Sequence, residues 1–351
     1  MVTDFIDFLS AYPSKYHVIE GFKSMLVKAG FTELCLKRTW DIKYGGRYFT
    51  TRGGSSLIAF IVGDNAPTEG YRIIAAHSDT PTLRIKPTPE MSVGNMLKMN
   101  TEVYGGAILY SWFDRPLSLA GRVTIATDNT LRPKNVLVDV HKPIGVIPSV
   151  AIHFNRQVND SFGVHKQTDM SVMLQAGVPT SLNDILAPYV GDASAEILDY
   201  DLNFYDATPA CVIGSEPTSQ LINASRLDDL MMAYSAVRAL CETTEGSGAG
   251  RMVCIFDNEE VGSSSKQGAM SPLLNNIFER IADQLHYSVE ERQRTIYNSF
   301  LISADMAHAL HCNHPELHAP VVRPLMNNGI CIKINANQKY MTDGSSSAML
   351  Q

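Results

Sequence analysis

No apolar run in this sequence approaches the about 20 residues needed to cross a bilayer. The longest, such as Leu57 to Val62 and Val253 to Phe256, have the length of buried strands. Blocks of Lys or Arg are also lacking. With 29 basic against 36 acidic residues the formal charge is −7, which argues against nucleic acid or an anionic membrane surface as the main partner. The first twenty residues carry neither a basic segment before an unbroken apolar core nor a small-residue cleavage site, so no secretory signal is expected. The six cysteines form no C-x-x-C pair. That excludes a recognisable structural zinc site and predicts reduced thiols of a cytoplasmic protein rather than a disulfide framework.

What is present is a chain of 351 residues, 45% hydrophobic, long enough for about two domains or for one large α/β domain carrying an insertion. Phe5, Phe8 and Leu9, then Val18, Phe22, Met25 and Leu26, recur at helical spacing and are interrupted by Pro13, predicting a pair of helices. Short β-like segments follow at Arg47 to Thr51, Ser56 to Val62 and Arg72 to Ala76. Residues 89–215 change texture to β-branched runs between turn residues: Gly121 to Thr127, Asn135 to Val140, Val150 to His153 and Ala210 to Gly214. They predict a β-rich insertion. Helices and strands alternate again at Leu227 to Leu240, Met252 to Phe256, Ser271 to Leu285 and Ser299 to Ser303. The segments 1–88 and 216–351 are therefore expected to form one discontinuous α/β domain.

Three apolar strands deliver metal-type ligands at their carboxyl ends: Ile73 to Ala76 into His77 and Asp79, Val253 to Phe256 into Asp257, Glu259 and Glu260, and Phe300 to Ser303 into Asp305. In open α/β sheets ligands bind beyond the carboxyl ends of strands, so these ends can converge although they are distant in sequence. Asp228 and Asp229 open a helix, where acids also serve as caps and dipole partners. Adjacent glutamates after a buried strand need a metal or basic partners to offset their charge. Together the pieces read as a two-metal hydrolase site suited to Zn²⁺, Mn²⁺ or Co²⁺. At a strand end successive side chains diverge, so one glutamate can ligate while the other faces the attacking water.

These residues lie in the stretches AAHSDTPTLRIKP (75–87), SWFDRPLSLAGRV (111–123), IPSVAIHFNR (147–156), SRLDDL (225–230), FDNEEVGSSS (256–265), SADMAHALH (303–311) and IKINANQKY (332–340). In content and order they resemble the aspartyl aminopeptidase family of co-catalytic zinc peptidases, cytoplasmic enzymes that assemble as dodecamers from dimeric building blocks. The resemblance implies a mixed-sheet α/β, phosphorylase/hydrolase-like zinc peptidase domain with an inserted β-rich dimerisation domain at 89–215. It implies two zinc ions per subunit and peptide substrates with amino-terminal Asp or Glu. His77 would be a terminal ligand oriented by Asp79, Asp228 the bridge, Glu260 a ligand and Asp305 a terminal ligand of the other ion. Glu259 would be the general base, and His153 would reach a neighbouring subunit's site.

The resemblance also implies that His308, Lys333 and Tyr340 line the pocket for the first substrate side chain. A preference for acidic residues needs a fixed cation there, and Lys333 is the candidate; without the motif it would read as an ordinary solvated strand lysine. Trp112, Phe113, Asp114 and Arg115 read as structural, and His311, His314 and His318 as loop residues.

Family members continue past the NANQ motif to a further histidine ligand, and no histidine follows His318 here. The chain is thus expected to lack the carboxyl-terminal part of the catalytic domain. A non-catalytic, oligomer-forming relative that binds metal weakly, and a metal-dependent deacylase acting on a non-peptide amide, stand as the other readings.

Overall fold

The computed structural model describes residues 2–177, 181–191, 195–215, 221–244 and 248–351. The chain divides into two compact units, Met1–Ala304 and Asp305–Gln351.

In the first unit Pro13 separates α1 (Val2–Ala11) from α2 (Lys15–Lys28), and the Ser14 hydroxyl caps α2 by accepting from His17 N–H at 3.5 Å. Both helices bury their apolar stripes, Phe5, Phe8 and Leu9 on α1 and Val18, Ile19, Phe22 and Leu26 on α2. Next come β1 (Thr32–Glu33), β2 (Arg47–Arg52), β3 (Ser56–Ile61), the single-turn α3 (Ala66–Glu69) and β4 (Tyr71–His77).

A second set of strands follows: β5 (Thr82–Val93), β6 (Met96–Tyr104), β7 (Leu117–Ile125), β8 (Lys134–Asp139), β9 (Val172–Ala176) and β10 (Ile197–Asp206), with α4 (Leu182–Leu186) between the last two. The small hairpin β11 (Cys211–Ile213) and β12 (Leu221–Asn223) leads back to α5 (Leu227–Glu242), β13 (Gly250–Phe256), α6 (Leu273–Gln284), α7 (Val289–Tyr297) and β14 (Phe300–Ser303).

The first sheet runs β1-β2-β3-β13-β4-β14. All six residues of β3 are buried because the strand is covered on both faces. Leu57, Ala59, Val253 and Ile255 point toward α1, α2 and α5, whereas Ile58, Phe60, Met252 and Cys254 point toward α6, as the two-residue period of a strand requires. The pairing is mixed: β13 is antiparallel to β3 but parallel to β4, and β14 is parallel to β4 on its other side. Phe256 lies opposite His77 and Ser303 opposite Ala75, so three parallel strands end at one edge. Parallel neighbours need long crossovers, which is why sequence-distant segments finish side by side.

The second sheet, β8-β7-β10-β5-β6-β9, is antiparallel throughout and has its own core, with Leu83, Leu119, Val123, Leu202 and Phe204 at its centre. β5 begins only five residues after the end of β4, so one end of this sheet is tied to the ligand-bearing edge of the first.

The strand expected at Val150 to His153 does not form. Residues 152–154 are a turn and 150–155 belong to no strand; Val150, Ile152 and Phe154 are exposed and lack a paired neighbour strand to turn β propensity into burial. The expected boundary at residue 216 lies outside the described residues. Asp114, on the stretch expected to be structural, accepts from Ser149 N–H at 2.9 Å and so pins the start of this loop.

The second unit is mostly irregular. It contains a 3₁₀ turn at Pro315–Leu317 and α8 (Gly344–Leu350), capped by reciprocal bonds between Asp343 and Ser346. Lys333 lies in a segment without regular structure.

Candidate metal centre

His77 is the last residue of β4 and is buried. Its backbone N–H donates to the buried Asp229 carboxylate at 3.1 Å. Its Nδ1 lies 2.9 Å from the carbonyl oxygen of Asp79 and 3.5 Å from Asp79 Oδ1. A carbonyl can only accept, so Nδ1 carries a hydrogen and Nε2 is the nitrogen left to bind a ligand. Nε2 faces Asp228 Oδ1 at 3.5 Å and Glu259 Oε2 at 3.8 Å. Two donors held about 2.1 Å from a tetrahedral zinc lie about 3.4 Å apart, so the imidazole and the Asp228 carboxylate are spaced as ligands of one ion. Asp228 and Asp229 open α5 with non-helical backbone angles and a cis peptide between them. The Asp228 side chain is 57% exposed and Asp229 is fully buried.

Asp79, 1% exposed, holds more than the imidazole. Its Oδ1 accepts the backbone N–H of Glu259 at 3.1 Å, and its Oδ2 accepts that of Glu260 at 3.2 Å and the Tyr104 hydroxyl at 2.6 Å. The 3₁₀ turn at Glu259–Val261 follows Asn258, which takes a left-handed conformation with φ 64°. The neighbouring Asp257 is buried and satisfied by Lys15 Nζ at 2.8 Å and the Ser55 hydroxyl at 2.6 Å. It belongs to the scaffold.

Burial alone would push the His77 imidazole down, but hydrogen bonds to Asp228 and Asp79 and the charge of Asp229 outweigh it and lift it to about 11. Burial also pushes Asp79 up, and the hydrogen bonds from His77 and Tyr104 bring it below the usual carboxylate range. For Glu260 the compensation falls short. Burial, helped by the nearby Asp228 and Asp79 charges, raises it to about 7 despite the opposing His77 charge. A cluster of carboxylates around one protonated imidazole is what a divalent cation replaces, displacing protons as it binds.

His77, Asp79, Asp228, Glu259 and Glu260, all singled out in the sequence, thus meet at one edge of the first sheet. Asp305 follows directly on Ala304, whose N–H donates to Ala75 O at 2.7 Å. Within the second unit Lys333 Nζ donates to Asp305 Oδ2 at 2.8 Å and to Met306 O at 2.9 Å, and it lies 5.7 Å from the Tyr340 ring centre. His308 is exposed. His153 is exposed on the turn at 152–154, and among the described residues no hydrogen bond or ion pair ties it to the cluster. The sequence does not point to Tyr104, and it offers Asp229 only as one of two acids opening a helix in the candidate site. A tyrosine ending an alternating strand carries no ligand signal, and Asp229 reads as a helix-opening acid until the fold buries it under His77.

The family model for aminopeptidase I zinc metalloproteases (M18) matches residues 8–351. The chain belongs to the M18 aminopeptidase family. It is accordingly a metallo-aminopeptidase, a hydrolase of the exopeptidase class. A curated relative from Clostridium acetobutylicum, named "Probable M18 family aminopeptidase 2", is 41% identical over 99% of this chain and 81% of its own length. Among solved structures, the M18 chain is similar to one in a complex of Ape4 and Nbr1, with TM-score 0.93 and 35% identity over 99% of this chain and 71% of that one. Its similarity to mApe1 of Chaetomium thermophilum has TM-score 0.87 and 31% identity, covering 99% and 82%. The fold expectation, an α/β zinc peptidase, agrees with these neighbours.

Proposed function

We propose that this M18 chain removes acidic residues, Asp or Glu, from the amino terminus of peptides with the help of two divalent ions, zinc in the first place and manganese or cobalt as substitutes. The observation that carries the reading is the 3.5 Å spacing of His77 Nε2 and Asp228 Oδ1 beside the Glu259 carboxylate. The donor set fits: one imidazole and several carboxylates suit these metals. In this reading His77, Asp228, Glu260 and Asp305 would hold the ions. Bound ions would polarise the scissile carbonyl and bring the pKa of a coordinated water toward neutrality.

Glu259, 53% exposed, is the carboxylate that moves a proton. It takes one from the attacking water and returns it to the leaving amine as the peptide C–N bond breaks. Asp79 keeps His77 and both glutamate amides in place. Lys333, with His308 and Tyr340, receives the substrate's side-chain carboxylate, a fixed cation matched to an anion. Residues 89–215 form the dimerisation unit within a catalytic domain of 1–88 and 216–351. The second, antiparallel sheet with its own core supports a separate unit of this kind, with its first strand, β5, beginning at Thr82, before residue 89. A yeast mApe1 relative was solved as a dodecamer, and we extend self-association to this chain, with His153 donated to a neighbouring subunit's site. A cytoplasmic location accords with six free cysteines and with the absence, among described residues, of a helix long and apolar enough to cross a membrane.

The test is Glu259→Gln assayed on chromogenic amino-terminal Asp, Glu and Leu substrates. Metal content should stay at the wild-type level while turnover falls by about 10²–10⁴-fold; substantial residual turnover refutes the base assignment.

A further inference from the structure

The end of β6 comes from the second sheet, yet it reaches the glutamate turn of the first. Tyr104 pairs with Thr82 in the β5–β6 ladder, three residues past Asp79, and this register delivers its hydroxyl to Asp79 Oδ2 at 2.6 Å. The Tyr104 hydroxyl oxygen in turn accepts from Asn258 Nδ2 at 2.8 Å. The next residue, Gly105, has φ 73°, and a Cβ placed there would meet Glu260 Cβ at 3.0 Å and Glu260 Oε2 at 3.2 Å. The Gly106 amide lies close enough to the Glu260 carboxylate to favour its ionised form. Consecutive residues of one strand end thus touch Asp79, Asn258 and Glu260, the residues that shape the turn from three sides.

We propose that Tyr104, Gly105 and Gly106 form a positioning element for the catalytic turn. Tyr104 fixes the Asp79 carboxylate, Asp79 fixes Glu259 and Glu260 through their amides, and the two glycines leave the space and the polar backbone beside which Glu260 aims its carboxylate. The inference rests on the reading of Glu259 as base and Glu260 as ligand. It makes the second sheet part of the catalytic apparatus and not only a surface for assembly. A hydroxyl is needed at position 104 because it must donate to one group and accept from another; a phenylalanine fills the same volume and does neither.

The experiment is Tyr104→Phe in the full chain, with Gly105→Ala as a second route to the same turn. Zinc affinity is read by competition with a chromogenic chelator, kinetics on an Asp substrate, and folding by thermal unfolding. Both variants should bind zinc about tenfold or more weakly and show lowered kcat with KM held. In Asp79→Asn the added Tyr104→Phe should cause little further loss, since Tyr104 acts through Asp79. Wild-type zinc affinity and kcat in Tyr104→Phe, within a factor of two, would overturn the inference, as would a lowered Tm with zinc affinity unchanged. Fully additive losses in the double variant would overturn the route through Asp79. If the wild-type chain itself took up no zinc, the reading of the centre would fail first and this inference with it.

Discussion

Metal uptake at this centre must displace protons, and Glu260 gives the sharpest measure of how many. Burial and the neighbouring Asp228 and Asp79 charges raise its carboxyl from 4.5 to about 7. At pH 6 such a group is about nine-tenths protonated, and at pH 8 about one-tenth, whereas an ordinary glutamate is ionised at both. Ligation requires the carboxylate, so zinc binding at pH 6 should release about 0.9 proton from Glu260 and about 0.1 at pH 8. His77, lifted to about 11, adds close to one proton at either pH. Isothermal titration in buffers of different ionisation enthalpy counts the total. Comparison with Glu260→Gln cancels His77 and any ionising water, leaving the Glu260 share. A difference near zero at pH 6 would refute the argument from burial.

The linkage has a second consequence of defined sign. Unfolded Glu260 ionises near 4.5 and folded Glu260 near 7. Between these values the folded chain holds a proton that the unfolded chain has lost. The metal-free protein should therefore lose stability as pH rises through that window, and zinc should reverse the trend.

Two further outcomes are expected. Lys15→Met leaves the 2% exposed Asp257 without its cation, 2.8 Å away, and should cost about 2 kcal/mol in urea unfolding. That is below the about 3–5 kcal/mol of a fully buried pair, because Asp257 keeps Ser55 and the Asn258 amide as donors. Adding Asp257→Asn should recover part of the loss, and no recovery would show that the buried charge is not its source. Lys333→Met should lower cleavage of amino-terminal Asp and Glu relative to Leu by about tenfold or more; an unchanged ratio would remove Lys333 from the specificity pocket.

The helices at the amino terminus, the β3 and β13 strands and the ligand-rich ends after Ala76, Phe256 and Ser303 are legible in the linear order. Each is a local matter of period, capping and turn residues. Val150 to His153 shows the limit of that legibility: its β-branched residues suit a strand, but strand formation depends on a neighbour, and none pairs there. The identities of His77, Asp79, Asp228, Glu259 and Glu260 as a set were also readable, because metal chemistry restricts ligands to few residue types.

What only the tertiary structure decided is which atoms meet. The parallel register of β13, β4 and β14 brings residues about 180 and about 230 positions apart to one edge. The Asp79 carboxylate serves two backbone amides and Tyr104 more closely than it serves His77. Tyr104 enters the site through the pairing of β5 with β6. Such hydrogen bonds are set by strand register and backbone geometry, which are collective results of packing and leave no mark on the residue itself.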